Sequence, residues 1–202
     1  MPRARLFLLR HGRTAANVSR LLRGPDGAED PLDPVGEAQA HAAAAHLAAL
    51  DLPAPRVYAS TYRRARQTAE AVAAALGVPV TVLDGLHEIH PGDWMGRPYG
   101  HLRSHAHELR GPGGTLAFPG GESLEEVSRR FLRALAPLPP GETAIVVSHG
   151  GALSAVLAAL TGEDATATWL EGRFAHPNAA LTELIREDGA WHVVRLADTR
   201  HL

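Results

Sequence analysis

Leu6-Phe7-Leu8-Leu9-Arg10-His11-Gly12 and Ile145-Val146-Val147-Ser148-His149-Gly150-Gly151 are built alike: an apolar run, one polar residue, a histidine and glycine. A short continuous apolar run suits a strand buried on both faces, as in a parallel sheet covered by helices. The polar and glycine residues that follow mark a turn into a helix. In open α/β sheets ligands gather beyond the carboxyl ends of strands, where the next helix offers unpaired N–H groups to an anion. Both histidines fall at such a position. The glycine after each is expected to let the backbone come close to a ligand.

Outward from these runs, strands and helices alternate. Arg56-Val57-Tyr58 and Val78–Leu83 read as further strands, and Ala180–Arg186 with Trp191–Leu196 as a terminal hairpin turning at Glu187-Asp188-Gly189. Asp33-Pro34 is a helix start, Asp as N-cap and Pro at the first helical position, for an alanine-rich helix to Leu50. Further helices are expected over Thr61–Leu76, ended by Gly77, from the capping box Ser123-Leu124-Glu125-Glu126 to about Leu135, and from Gly151 to about Leu160. Pro137–Gly141 breaks the second of these. A short helix is expected after Gly12, with an irregular loop around Gly24-Pro25-Asp26-Gly27. The pattern predicts an α/β fold, a three-layer αβα sandwich with a largely parallel mixed sheet, in one domain over residues 1–202. Asp84–Gly121, rich in Gly, Pro and His, reads as a loop-rich insertion carrying specificity, helical only over His101–Leu109.

Composition narrows the chemistry. The 202 residues contain no Cys, and all 20 basic residues are Arg, which excludes thiolate chemistry, Walker-type lysine loops and Schiff bases. Carboxylates, hydroxyls, Arg and 12 His remain. A net charge of −2 gives no global attraction to nucleic acid or anionic membrane. The apolar runs Leu6–Leu9 and Ala152–Leu160 are too short for a signal core or a spanning helix, so a cytoplasmic location with no membrane partner is expected.

Two more segments follow strands. Ser60-Thr61-Tyr62-Arg63-Arg64-Ala65-Arg66-Gln67-Thr68-Ala69 places several Arg on the first turns of a helix, with Arg63 and Arg66 expected in water. Leu86-His87-Glu88-Ile89-His90-Pro91-Gly92-Asp93-Trp94 sets one carboxylate among apolar neighbours, where desolvation would favour a general acid. Read alone, Glu88 is a surface residue and each histidine a hydrogen-bonded structural one. Their joint occurrence points to an anionic substrate held between two imidazoles.

In this order and spacing the chain resembles the histidine phosphatase superfamily, in its phosphoglycerate-mutase-like branch, over nearly its whole length. The opening motif is Leu9-Arg10-His11-Gly12, with Thr14 and Asn17 at further phosphate-contact positions. The second is Ser60 with Arg64-Ala65-Arg66-Gln67-Thr68-Ala69, which selects Arg64 rather than Arg63. Leu86, Glu88, Gly92 and Trp94 match the acid loop, Pro119–Ser123 the Pro-Gly-Gly-Glu-Ser segment, and Ser148–Gly151 the Ser-His-Gly-Gly.

The resemblance implies a metal-independent phosphomonoester hydrolase working through phosphohistidine, with no cofactor. His11 would attack phosphorus through a neutral ring nitrogen, Arg10 and Arg64 would clamp the oxygens, and a protonated His149 would add a donor. Glu88 would protonate the leaving alkoxide and then activate water. Arg23, Gly24 and Gly150 complete the expected substrate contacts, and the expected partner is a small phosphomonoester. Arg13 and Arg23, where relatives carry other residues, either bias the mouth toward a second anionic group or face water. The lack of paired arginines in Gly100–Thr115 favours a phosphatase over the alternative, a cofactor-dependent phosphoglycerate mutase. A metal site on His101, His105 and His107 is set below a solvated helix face, because no His-Glu-x-x-His pattern accompanies them. A nucleic-acid surface would rest on Arg63–Arg66, where Arg64 is already assigned. Oligomeric state, a homodimer included, is left open.

Overall fold

The computed structural model describes residues 4–137 and 142–202. The first apolar run lies in β1 (Arg5–Arg10), followed by α1 (Ala15–Val18) and α2 (Pro34–Ala48). Next come β2 (Pro55–Ala59), α3 (Arg63–Leu76), β3 (Val80–Val82), α4 (His101–Ser104) and α5 (Leu124–Leu135). The chain closes through β4 (Thr143–Ser148), α6 (Gly150–Thr161), α7 (Ala165–Glu171), β5 (Leu181–Glu187) and β6 (Ala190–Asp198). The strands form one sheet in the order β3-β2-β4-β1-β5-β6. β1 to β4 are mutually parallel, β5 runs antiparallel to β1 and β6 antiparallel to β5.

Alternation along the central strands makes the layers. Leu6, Leu8, Tyr58 and Val146 point to one face and pack with Leu124, Val127 and Phe131 of α5 and Leu153, Val156 and Leu157 of α6. Phe7, Leu9, Val57, Ala59, Ile145 and Val147 point to the other, onto Ala43, Ala44 and Leu47 of α2 and Ala65, Ala69 and Val72 of α3. Each fully buried Leu, Val or Phe contributes roughly 1.5–3 kcal/mol, and this two-sided burial reinforces the strand preference of the β-branched residues in the same runs. The small side chains on α2 and α3 let these helices approach closely.

Caps follow the sequence. Asp33 accepts from the Gly36 amide at 2.8 Å, and Ser123 and Glu126 form the reciprocal capping box of α5. Two expectations change. The helix expected over His101–Leu109 stops at Ser104, because His105 leaves helical backbone (φ −121°) and its ring stacks on His101 at 3.7 Å; a short 3-10 turn, Ala106–Glu108, follows. The segment 84–121 is loop-rich, holding only short helical turns, and it is anchored in the core by Leu86, Ile89, Trp94, Leu109, Leu116 and Phe118, all buried. The helix α7, N-capped by Asp164, was not expected, since only Thr168 of it is buried and it shows no apolar stripe. The break after α5 at Leu138–Gly141 lies outside the described residues.

Candidate active site

Strand register brings the motif residues together. Arg10 pairs with Ser148 across β1 and β4, the His11 amide donates to the Ser148 carbonyl at 3.0 Å, and the Ser60 amide to the Val147 carbonyl at 3.0 Å. Ser60, His149 and His11 thus stand side by side where β2, β4 and β1 end. This is the position at which an open α/β sheet holds its ligand.

His11 is buried, and its Nδ1–H donates to the Gly12 carbonyl at 2.6 Å, which leaves Nε2 as the basic nitrogen. Nε2 accepts from Arg64 Nε at 3.1 Å. Burial, and then the Arg64 and Arg10 charges, hold the imidazole well below the usual histidine range, so it is neutral. Arg64 is itself buried, donates from Nη1 to the Gly27 carbonyl at 2.6 Å and lies over the Tyr62 ring at 5.0 Å. Arg10 donates from Nη1 to the His176 carbonyl at 2.5 Å, while its Nε is buried without a partner among the described residues. His149 is fully buried with its ring centroid 5.1 Å from that of His11; Nε2 meets Ser60 Oγ at 2.8 Å, and Nδ1 is buried without a partner among the described residues. Arg10 Nε and His149 Nδ1 thus lack a partner among the described residues, close to a His11 whose Nε2 is held by Arg64, and a small anion is the kind of group that would satisfy them.

The resemblance implies a protonated His149 beside a bound anion; in the free protein burial first, and then Arg64, His11 and Arg10, push its pKa well below the usual range, so there the ring is neutral. Glu88 is half-buried, but it is satisfied by amides rather than desolvated among apolar groups. Its carboxylate accepts from Ile89 N and Ala152 N at 2.9 Å and Gly151 N at 3.2 Å, at the start of α6.

The glycines serve packing. A Cβ at Gly12 would lie 2.3 Å from the Gly36 carbonyl oxygen, so the first glycine admits α2 rather than a ligand. One at Gly151 would meet Ile89 and the Glu88 carboxylate at 2.7 and 2.8 Å, so that glycine admits the acid loop. Gly24 packs on Pro91, and Gly150 lies in ordinary contact with the Arg10 guanidinium. Thr14 and Asn17 form a capping box on α1, and Asn17 also donates to the Tyr99 hydroxyl at 3.3 Å. Arg13 and Arg23 supply no free charge: Arg13 pairs with Asp33 at 2.8 Å, and Arg23 with Asp26 and Asp30 at 2.7 and 2.9 Å. The expectation that Arg23 contacts substrate through its charge gives way to this pairing within the 23–30 loop. His101 and His105 stack on each other and meet Trp94 edge-on, and no group of three metal-ligating side chains occurs among the described residues.

A sequence profile of the histidine phosphatase superfamily (branch 1) matches residues 6–199. The chain belongs to this superfamily. A probable phosphoglycerate mutase, GpmB, of Yersinia enterocolitica is 32% identical over 98% of this chain and 94% of its own. The mycobacterial glucosyl-3-phosphoglycerate phosphatase solved with VO3 superposes with a TM-score of 0.79 at 29% identity, covering 96% of this chain and 99% of that one. Phosphoserine phosphatase from Entamoeba histolytica, solved with 3-phosphoglyceric acid, gives 0.83 at 25% identity over 98% of both.

This member of the superfamily also brings to the site residues that sequence patterns do not single out. Asn178 donates to the His11 carbonyl at 3.2 Å and to Asn17 at 3.0 Å, fixing the His11 backbone. Arg130 of α5 donates to the carbonyls of Gly85, His87 and Glu88 at 2.6, 2.9 and 3.1 Å, and it pairs with Glu122 at 2.7 Å. Glu122 in turn accepts from His90 N at 2.9 Å, so the two side chains staple the whole acid loop. Tyr62 packs edge-on to His149 at 5.1 Å and stacks with His87 at 5.9 Å; burial pushes its hydroxyl up to about 12, so it stays protonated. Among the described residues, no helix is long and apolar enough to cross a membrane.

Proposed function

We propose that this chain is a metal-independent phosphomonoester hydrolase acting on small phosphorylated metabolites through a phosphohistidine. The observation that carries the reading is the unprotonated Nε2 of a neutral His11, hydrogen-bonded to Arg64, in a site where Arg10 Nε and His149 Nδ1 have no partner among the described residues. The Nε2 lone pair attacks phosphorus, replacing its hydrogen bond with Arg64, and the P–O ester bond breaks as the N–P bond forms. Arg10, Arg64 and His149 donate to the non-bridging oxygens as charge spreads over them. Glu88 passes a proton to the leaving oxygen. Water then attacks the phosphohistidine, Glu88 recovers a proton from it, and inorganic phosphate leaves with His11 neutral again.

Phosphatase is preferred to mutase on two grounds: the structural relatives named above are phosphatases, and Gly100–Thr115 lacks paired arginines. The likeness to the Yersinia protein supports phosphoglycerate mutase as the second reading. The test is turnover of an aryl phosphate in chelator, with acid-labile labelling of the protein by the phosphoryl group. His11→Ala is expected to lose both, and turnover near wild type would refute the nucleophile. With 3-phosphoglycerate and its bisphosphate cofactor, release of inorganic phosphate supports the hydrolase, whereas efficient isomerisation establishes the mutase.

A further inference from the structure

His149 has two ring nitrogens and, when neutral, one proton. Which nitrogen carries it decides whether the ring can donate to an anion. Ser60 supplies the answer through its own bonding. Its Oγ accepts from the Tyr62 amide at 3.2 Å, a group that can only donate, and its other contact is His149 Nε2 at 2.8 Å. Ser60 is fully buried, so its hydroxyl proton has no water to turn to. With the amide already donating to Oγ, the hydroxyl hydrogen is left one acceptor among the described residues, His149 Nε2.

We propose that Ser60 is a positioning residue that fixes His149 as its Nδ1–H tautomer, so that a neutral imidazole donates to a phosphoryl oxygen without first taking up a proton. The partnerless nitrogen of His149 is the one this assigns as the donor. The same device occurs once more in the fold: Thr182 Oγ1 accepts from Ala197 N at 2.8 Å and meets His176 Nε2 at 2.7 Å, while His176 Nδ1 meets the Phe174 carbonyl at 2.8 Å, as an Nδ1–H donor must. In both places an amide occupies the hydroxyl oxygen and the hydroxyl proton is directed to an imidazole Nε2. The charges around His149, from Arg64 and Arg10, oppose a second proton on the ring, so a donor that works in the neutral state matches its surroundings.

The inference extends the hydrolase reading, but its first readout is independent of turnover. Nitrogen-15 NMR of histidine-labelled protein distinguishes the protonated from the bare ring nitrogen, and wild-type His149 is expected to show a bare Nε2 and a protonated Nδ1. Inorganic phosphate should move the Nδ1–H resonance. A protonated Nε2 in the neutral ring, or a doubly protonated ring in the free protein, would overturn the assignment whether or not Ser60 variants fold. Ser60→Ala should mix the tautomers, weaken inorganic phosphate binding and lower kcat/KM about tenfold, part of the loss seen on removing an oxyanion donor, and Ser60→Thr should restore both. If no phosphomonoester is hydrolysed yet the tautomer is as stated, the hydrolase reading fails and this one stands. If hydrolysis is found with the opposite tautomer, the reverse holds.

Discussion

His176 gives a direct test of how burial holds imidazoles neutral in this fold. Its ring is buried, and burial lowers its pKa to about 4, against 6.5 for an unperturbed histidine. Below about pH 6.5 the unfolded chain takes up a proton that the folded chain refuses. The stabilisation is therefore fully present above 6.5 and is lost as pH falls toward about 4. Between pH 7 and pH 5, these two values give a loss of about 2 kcal/mol from this one group. His11 and His149 lose stability in the same direction, so the wild-type protein should weaken by more than this.

His176→Asn isolates the term. Asparagine keeps a donor near the Phe174 carbonyl and has nothing to titrate, and the backbone carbonyl that holds Arg10 Nη1 stays in place. The variant loses ring packing and is less stable at pH 7, but that offset is independent of pH. Urea unfolding at pH 7, 6 and 5, with equal m-values required for the comparison, should show the variant losing about 2 kcal/mol less than wild type over that interval. Parallel pH dependences for the two proteins would refute the claim that His176 is held neutral by its burial.

Two further perturbations separate site assembly from chemistry. Arg130→Met frees the carbonyls of Gly85, His87 and Glu88, and kcat on an alkyl phosphate should fall about a hundredfold through misplacement of Glu88. An aryl phosphate, whose leaving group needs no proton, should suffer far less, and equal losses on both would refute the positioning role. Gly36→Ala places a methyl 2.0 Å from the Arg13 carbonyl oxygen, a backbone atom that cannot swing away. It should cost about 3 kcal/mol, and an unchanged melting temperature would show that α2 does not seat on the first motif as described.

What could be read from the sequence was whatever depends on neighbours along the chain. The apolar runs ending at Arg10 and Ser148, the Asp33 and Ser123 caps, and the spacing of Arg64, Glu88 and His149 are local patterns, and the layer architecture follows from them. What stayed hidden depends on how the folded backbone brings side chains together, whether their partners are near in sequence or far. Arg23 looked like an available cation because nothing in its own spacing reveals that Asp26 and Asp30 curl back onto it. Nothing in the sequence singles out Arg130, since its partners are mostly backbone carbonyls about forty residues away, which leave no side-chain signature.

The same division runs through the site itself. Identities could be assigned to His11 and His149 from motifs, but their protonation could not, because it is set by which atoms the folded chain places at each ring nitrogen. For His11 that is a carbonyl one residue away, and for His149 a hydroxyl from a different strand, 89 positions earlier. Two histidines that look equivalent in sequence are thereby given opposite tasks. One presents a lone pair because its Nδ1 proton is engaged by the backbone. The other presents a proton because its Nε2 lone pair is engaged by Ser60. A phosphoryl group bound here would meet the His11 lone pair on the line of attack and the His149 proton at a non-bridging oxygen, leaving Glu88 to serve the departing oxygen, and β2-β4-β1 register is what sets the two histidines side by side.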